Sequence, residues 1–295
     1  MKLGVVILNF ATYNDTTKLV EQLQEQTIID RIQIVVVDNY SPNESYRVLK
    51  PLEDRFQNVV VVQTDENLGY AKGNNFGLKY LEDSVKPNYV AILNNDVAVS
   101  RDLFENIVAR YKLLENPAIV APIMCDRDGR RQTMMSNLPS IWSDFKMLFA
   151  FYNKFLQSKK ERVLCDNTGH NAMSVEVIGG SFMFVEFEKF KAMGYFYPNT
   201  FLYVEERFVA EAAKRLGYKN YLILDMEYIH DHTSPSISSY HNQISKYKIL
   251  YKSRLEYVKV CKKHGKLKVA LLKPFMLWSL FEWWVIGVVK LVVRR

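Results

Sequence analysis

Two stretches carry carboxylates where they could do chemistry. In "AILNNDVAV" (91–99) an apolar run stops at Asn94, Asn95 and Asp96, and a second apolar run follows at once. In "FLYVEERF" (201–208) Glu205 and Glu206 stand side by side at the start of a helical pattern. Asp96, at a strand end, is a hard oxygen ligand suited to Mg²⁺ or Mn²⁺ that also holds diphosphate oxygens. Such a cation would stabilise charge developing on a departing diphosphate. Adjacent acids in the first turn of a helix either complement its dipole or accept a proton.

Polar residues also follow three other apolar runs. Asn9 comes after "LGVVIL" (3–8), and Asp38, Asn39 and Ser41 come after "IQIVVV" (32–37). Glu66, Asn67, Gly69, Gly73 and Asn74 follow "VVVVQ" (59–63). One such cluster is ordinary turn chemistry. Four of them imply a polar crevice along one sheet edge, beyond the carboxyl ends of the strands, where ligands of open α/β sheets sit. There a carboxylate such as Asp38 can accept from a base N–H or a ribose hydroxyl. Asn67, Gly69 and Gly73 would let the chain approach a sugar or phosphate closely. Neither GxGxxG nor GxxxxGK[ST] occurs, so a dinucleotide fingerprint and a P-loop are both unsupported.

The elements that must position these residues follow from periodicity. The four apolar runs, with "YVAIL" (89–93) as the fourth, are Val/Ile-rich and continuous, as in parallel strands covered on both faces. Helical patterns separate them. The first, "DTTKLVEQLQEQ", opens with Asp15 or Thr16 as N-cap. Strand–helix–strand repetition predicts a doubly wound, mostly parallel, Rossmann-like α/β sheet. After about residue 120 the rhythm changes. A polar segment leads into the aromatic "IWSDFKMLFAFYNKF" (141–155), read as a helix or a lid on the acceptor side, and a helix from Glu205 to Leu216 ends at Gly217. The expected division is 1–120 for the donor half, 121–235 for the acceptor half and 236–295 for a helical tail.

A chain of 295 residues makes one or two domains. Three scattered cysteines support neither a disulfide framework nor a zinc site, and a reducing compartment fits them. The initial apolar run is too short for a secretory signal and reads as a strand. The net charge of +7 is unevenly placed: residues 236–295 hold 13 Lys and Arg against Glu256 and Glu282, while residues 1–235 hold 26 basic and 30 acidic residues. An acidic body with a basic appendage suits an anionic surface.

The succession "VVILNF…VVVDNYS…ENLGYAKGNN…LNNDV…IGGSFM…FLYVEE…GY…H" resembles the family 2 inverting glycosyltransferases of the GT-A fold. It is nearest in pattern to the rhamnosyltransferase-like members that build bacterial surface polysaccharides, and the resemblance covers roughly residues 3–235. It implies that Asn9 and Asp38 contact the nucleoside, Asp38 through a uracil or thymine N–H. Asn67, Gly69 and Gly73 would lie along the nucleotide-sugar, with Asn94 and Asn95 beside them. "NND" takes the place of the family's DxD motif, making Asp96 the main metal ligand. Asn94 replaces the first acid and removes one charge. Glu206 matches the family's base and Glu205 its supporting neighbour. Phe208 stands where a further acid is usual, which implies a less polar acceptor pocket. A histidine completes the metal or diphosphate site, either His230 or His232. Gly179 and Gly180 match the acceptor-side wall.

The implied reaction is transfer of a sugar, such as L-rhamnose from a dTDP donor or another from UDP, to a lipid-linked saccharide, with Mn²⁺ or Mg²⁺ as cofactor. In "LKVALLKPFMLWSLFEWWVIGVVKLVVRR" Ser279, Glu282, Lys290 and Arg294 share one arc at helical spacing, and the tryptophans lie outside it. Such a helix would rest in the interface of the inner membrane face, the chain being cytoplasmic and peripheral, or would bury the same stripe in a homodimer. Clustered aromatics without a basic groove speak against nucleic acid. The rival function is a catalytically silent nucleotide-sugar-binding scaffold at the membrane, and the Glu205–Glu206 pair retained with Asp96 argues against it.

Overall fold

The computed structural model describes residues 1–132, 135–146, 149, 152, 164–231, 243–262 and 266–293. Strands are β1 (Leu3–Asn9), β2 (Ile32–Asp38), β3 (Val59–Gln63), β4 (Tyr89–Asn94), β5 (Val97–Val99), β6 (Pro117–Cys125), β7 (Met135–Ser136), β8 (Ala172–Val175), β9 (Val177–Ile178), β10 (Phe182–Glu186) and β11 (Lys219–His230). Helices are α1 (Tyr13–Leu23), α2 (Ser45–Leu49), α3 (Leu52–Arg55), α4 (Gly69–Ser84), α5 (Leu103–Tyr111), α6 (Ile141–Lys146), α7 (Phe187–Met193), α8 (Glu205–Arg215), α9 (Gln243–Val260) and α10 (Lys266–Val293).

One sheet runs β3-β2-β1-β4-β10-β6-β11-β5, with β8 also on β11. The first four strands are parallel, as their continuous apolar runs require. β10 then enters antiparallel between β4 and β6, so the sheet as a whole is mixed. Because β10 runs the other way, Gly180 and Ser181, just before it, lie at the carboxyl end of β4, where Phe182 pairs with Leu93. Registers Asn9–Asp38, Asp38–Gln63 and Leu8–Asn94 put the polar strand ends in one row. The boundary expected near residue 120 falls inside β6, and β5 of the first half pairs with β11 of the second.

α1 begins three or four residues earlier than an N-cap at Asp15 or Thr16 predicts. Thr12 is the N-cap, and Thr16 lies buried inside the helix, bonded to Asn9. α8 ends as expected. Gly217 takes φ +73°, its N–H reaches Lys214 O and the Tyr218 N–H reaches Ala213 O, a Schellman closure.

The tail is an antiparallel pair of helices docked on the body. Tyr257 is fully buried against Phe208 and Val204, and its hydroxyl donates to Glu211 (2.8 Å), which also pairs with Lys262 (2.6 Å). α10 packs on α9 through Met276 and through Ser279, whose hydroxyl bonds Tyr251. Ser279, expected on a solvated polar arc, is therefore fully buried. The outward face carries Leu271, Phe275, Trp278, Phe281, Trp284 and Val288 instead. By length and composition, Val269–Ile286 would suffice to cross a membrane.

Candidate active site

At the end of β1 and β2, Asn9 and Asp38 are fully buried and hold each other. Asn9 Nδ2 donates to Asp38 Oδ1 (2.8 Å), which also accepts from the Ser41 hydroxyl; Gln63 Nε2 (2.9 Å) and the Ser41 N–H (3.2 Å) donate to Asp38 Oδ2. Asn9 Oδ1 accepts from Thr16 (2.8 Å). With its donors and acceptor in use, Asn9 orients Asp38. A ligand at this corner would meet the exposed Tyr40 and Gln63 before Asn9. The sequence marks Gln63 only as the end of an apolar run and Thr16 only as a candidate N-cap, with no place in the site for either. Gln63 ends a strand as Asp38 does, so its position alone could have flagged it.

Asn67 and Gly69 form the next corner. Asn67 Oδ1 accepts from the Gly69 N–H and from Asn39 Nδ2, both at 3.0 Å. Gly69 has φ +75°, and a Cβ there would lie 2.2 Å from Phe201 O, whose oxygen accepts from the Tyr70 N–H at 2.8 Å. Only glycine allows this approach, and it locks the start of α4 to the segment leading into α8. Gly73 sits where α4 rests on the sheet: a Cβ would come within 2.6 Å of Leu8. Helix–sheet contact alone accounts for this glycine.

The turn after β4 joins three regions. Asn95 Nδ2 donates to the hydroxyls of Thr12 (2.6 Å) and Thr16 (2.9 Å), linking the turn to the Asn9–Asp38 corner through buried groups. Pairing of β5 with β11 sets Val97 opposite His230, which brings His230 Nε2 to 3.0 Å from Asp96 Oδ1. Asn94 Nδ2 is 3.5 Å from the same imidazole nitrogen. Both the Asp96 and His230 side chains are nearly closed to solvent. His232 lies outside the described residues.

Gly179 and Gly180 are half-buried before β10. Tyr70 Oη donates to Gly180 O (2.6 Å), Ser181 Oγ bonds Tyr228 Oη (2.6 Å), and the Asn94 N–H donates to Ser181 O (3.0 Å). Burial raises the Tyr70 phenol far above its ordinary value, and Glu205, Glu206, Tyr228 and Asp96 add to that rise. One phenol thus feels the carboxylates of both stretches that opened the sequence reading. Tyr70 was legible only as a residue of "ENLGYAKGNN", since its reach to Gly180 crosses 110 positions.

Glu205 and Glu206 open α8 behind two consecutive left-handed residues, Tyr203 (φ +73°) and Val204 (φ +76°). For a β-branched valine that is a genuine outlier, of the kind that collects at functional sites. Glu205 is 5% exposed, and its Oε1 has no hydrogen-bond partner among the described residues. Burial first, then the charge of Glu206, pushes its carboxyl up to about 8. Glu206 is also raised by burial, but Arg207 and Arg254 oppose the rise. Both carboxyls are thus raised by burial, and Glu206 is the one of the pair beside two cations that oppose the rise.

The family model for glycosyl transferase family 2 matches residues 5–179. The chain belongs to that family. Membership makes it a glycosyltransferase by class. Among curated relatives it is 32% identical over 134 residues to the minor teichoic acid biosynthesis protein GgaB of Bacillus subtilis, covering 45% of this chain and 14% of that protein. It is 23% identical over 208 residues to the low-salt glycan biosynthesis hexosyltransferase Agl10 of Haloferax volcanii, covering 69% of this chain and 59% of that one. The chain thus spans only part of the length of either relative. The mannosyltransferase PcManGT from Pyrobaculum calidifontis, in complex with GDP-Man and Mn²⁺, superimposes with a TM-score of 0.61 at 15% identity, covering 95% of this chain and 72% of that one. S. aureus TarS 1–349 in complex with UDP-GlcNAc gives 0.58 at 15% identity, with the same coverage. These likenesses establish the GT-A fold.

In this family 2 chain the residues available for a divalent cation are few. Among the described residues no group of three His, Cys, Asp or Glu is gathered to hold a metal. Asp96 and His230 offer one oxygen and one nitrogen donor side by side, a mixed set that suits Mn²⁺ when the ligand's own oxygens complete the shell. The protein's share fits such an ion as two ligands.

Proposed function

We propose that this family 2 glycosyltransferase moves a hexosyl group from a nucleoside-diphosphate sugar to a hydroxyl of a membrane-borne saccharide, with inversion, in surface polysaccharide synthesis. The observation that carries this is that the start of α4 ties both carboxylate stretches together: the Tyr70 N–H donates to Phe201 O, ahead of Glu205 and Glu206, and Tyr70 Oη donates to Gly180 O, beside the Ser181 O that accepts from the Asn94 N–H. The donor's nucleoside would lie over the Asp38 corner, its sugar between Asp96 and α8, and the acceptor against Gly179 and Gly180.

In a single displacement the acceptor oxygen bonds to the anomeric carbon as the bond from that carbon to the diphosphate breaks. Glu206, as carboxylate, takes the hydroxyl proton, and Glu205, still protonated, donates a hydrogen bond to the sugar or acceptor. Asp96 and His230 would hold the divalent cation, which when bound supplies neutralisation of the diphosphate charge. Tyr70 fixes the acceptor-side wall through Gly180.

The outward apolar face of α10, with the lysines of α9, supports docking at an anionic membrane interface, where a lipid-linked acceptor would be met on the cytoplasmic side. The test is a donor panel (dTDP-L-rhamnose first, then UDP- and GDP-sugars) with Mn²⁺ or Mg²⁺ and a lipid-linked acceptor mimic, products read by mass spectrometry. Sugar addition with release of the nucleoside diphosphate supports the reading. Binding of a donor with no transfer to any acceptor would favour a silent scaffold.

A further inference from the structure

A groove of about 400 Å³ lies between the start of α4, the segment 198–201 and α9, a size within the range of small-molecule sites. Its walls are tied to the stretch that leads into the glutamate pair. Leu68 precedes Gly69, Phe201 O accepts from the Tyr70 N–H (2.8 Å), and Ser253 Oγ donates to Leu202 O (2.9 Å). The lining sorts by chemistry. Leu68, Phe201 and Ile249 are apolar. The neutral polar side chains already make hydrogen bonds: Asn199 Nδ2 donates to Tyr197 Oη (3.1 Å), Thr200 Oγ1 to Tyr197 O (3.2 Å) and Ser253 to Leu202 O. Two ammonium groups remain, Lys72 from α4 and Lys252 from α9. Both are exposed, and neither has an ion-pair partner among the described residues. Lys259 and Lys262, farther along the chain, are by contrast paired with Glu256 and Glu211. Among the described residues no carboxylate lines the groove.

We propose that this groove is a subsite for a phosphate or diphosphate ester carried by the acceptor. Lys72 and Lys252 would neutralise the anion, and Leu68, Phe201 and Ile249 would take the apolar chain beside it. The proposal rests on the reading of the chain as a transferase acting on a membrane-borne saccharide, and it adds the charge that this acceptor bears. A phosphate ester carries nearly two negative charges, enough to answer both ammoniums. A carboxylate would answer one, and a neutral sugar neither. Lysine binds phosphate as a point charge, without the planar fork that arginine needs, which suits a groove open to solvent. Asp96 and His230 do not line the groove, so its anion is a second one beside the donor's diphosphate. A segment whose composition suggests only surface attachment therefore supplies half of an acceptor subsite.

Calorimetry on the full chain, in chelator so that no cation at Asp96 draws the probe, compares geranyl diphosphate, geraniol and inorganic diphosphate. Geranyl diphosphate should bind, inorganic diphosphate should bind more weakly, and geraniol should not bind. Lys72→Ala and Lys252→Ala should each weaken geranyl diphosphate by about tenfold, and Lys→Arg at either position should restore most of the loss. Both side chains are exposed, so these variants should fold. UDP and dTDP binding with Mn²⁺, and flotation with anionic liposomes, should stay at wild type. The proposal is overturned if wild type binds no geranyl diphosphate, or if the Lys72→Ala/Lys252→Ala double variant binds it equally well. Inorganic diphosphate held as tightly as the ester would mean a free-anion site, and would overturn it too. So would loss of flotation in the double variant, which would assign the lysines to lipid headgroups, or weakened nucleotide binding, which would assign them to the donor. Lysine-dependent binding of geranyl diphosphate by a chain that transfers no sugar would keep the subsite and remove the proposed function instead.

Discussion

Glu205 and Glu206 are the same side chain in two environments, and each makes a separate prediction. Glu206→Gln should cut kcat by about 10²- to 10⁴-fold, the usual worth of a positioned base, while nucleotide binding measured by calorimetry stays near wild type. Glu205 bears on stability. An ordinary glutamate ionises near 4.5, whereas burial holds this one to about 8. Between those values the unfolded chain has released a proton that the folded chain retains, so stability falls as pH rises from about 4.5 towards 8. Glu205→Gln should therefore raise Tm at pH 8, by an effect on the order of a few kcal/mol, and change it little at pH 4.5. Thermal unfolding at the two pH values checks the sign. Asp96→Ala should abolish stimulation of transfer by Mn²⁺ or Mg²⁺, and transfer that persists undiminished in chelator would end the metal's role. At this scale the sequence was legible where chemistry clusters near strand ends. The roles of Thr12, Thr16 and Gln63 escaped because their partners lie 7 to 83 positions away and depend on how strands and helices are placed together.

Among elements, the four parallel strands could be read directly from their continuous apolar runs, because burial on both faces leaves no alternation to confuse them. β10 was harder to read. "FMFVE" is as apolar as its neighbours, and nothing local says that it enters antiparallel between β4 and β6. The start of α1 moved because Thr16 serves Asn9 and Asn95, so the residue expected to cap the helix is buried within it. For α10, spacing found the stripe but not which side would be covered. Packing on α9 takes Met276 and Ser279 and leaves Trp278 and Trp284 more than half exposed. Replacing Trp278 and Phe281 together by glutamate should abolish flotation with anionic liposomes and leave the protein folded, since neither side chain supports the core. Flotation equal to wild type would point to the same face burying a second copy, and sedimentation would then report a dimer.

For the molecule as a whole, the body and the tail are one structure. Core contacts run from Val204 and Phe208 through Tyr257 to Val269 and Leu272, so truncation should act in two steps. A chain ending at residue 265 loses α10 and should leave the membrane but still bind nucleotide and transfer sugar to a soluble acceptor. A chain ending at residue 242 also loses Tyr257, Lys262 and Arg254 from around α8, and it should lose transfer by at least tenfold more. Gel filtration, nucleotide calorimetry and product analysis separate the two. Charge composition marked the tail as distinct, but the tyrosines and serines that bind it to the body carry no signal of their partners.

Tyr203 and Val204 stand in a backbone shape that unbranched glycine would adopt without complaint, and Val204 is held there by Phe208 and Tyr257. The last helices thus act as a clasp on a bent spring. Were the clasp opened, the bend would lose its support, so a pull on α10 has a mechanical route to the start of α8, where Glu205 and Glu206 stand.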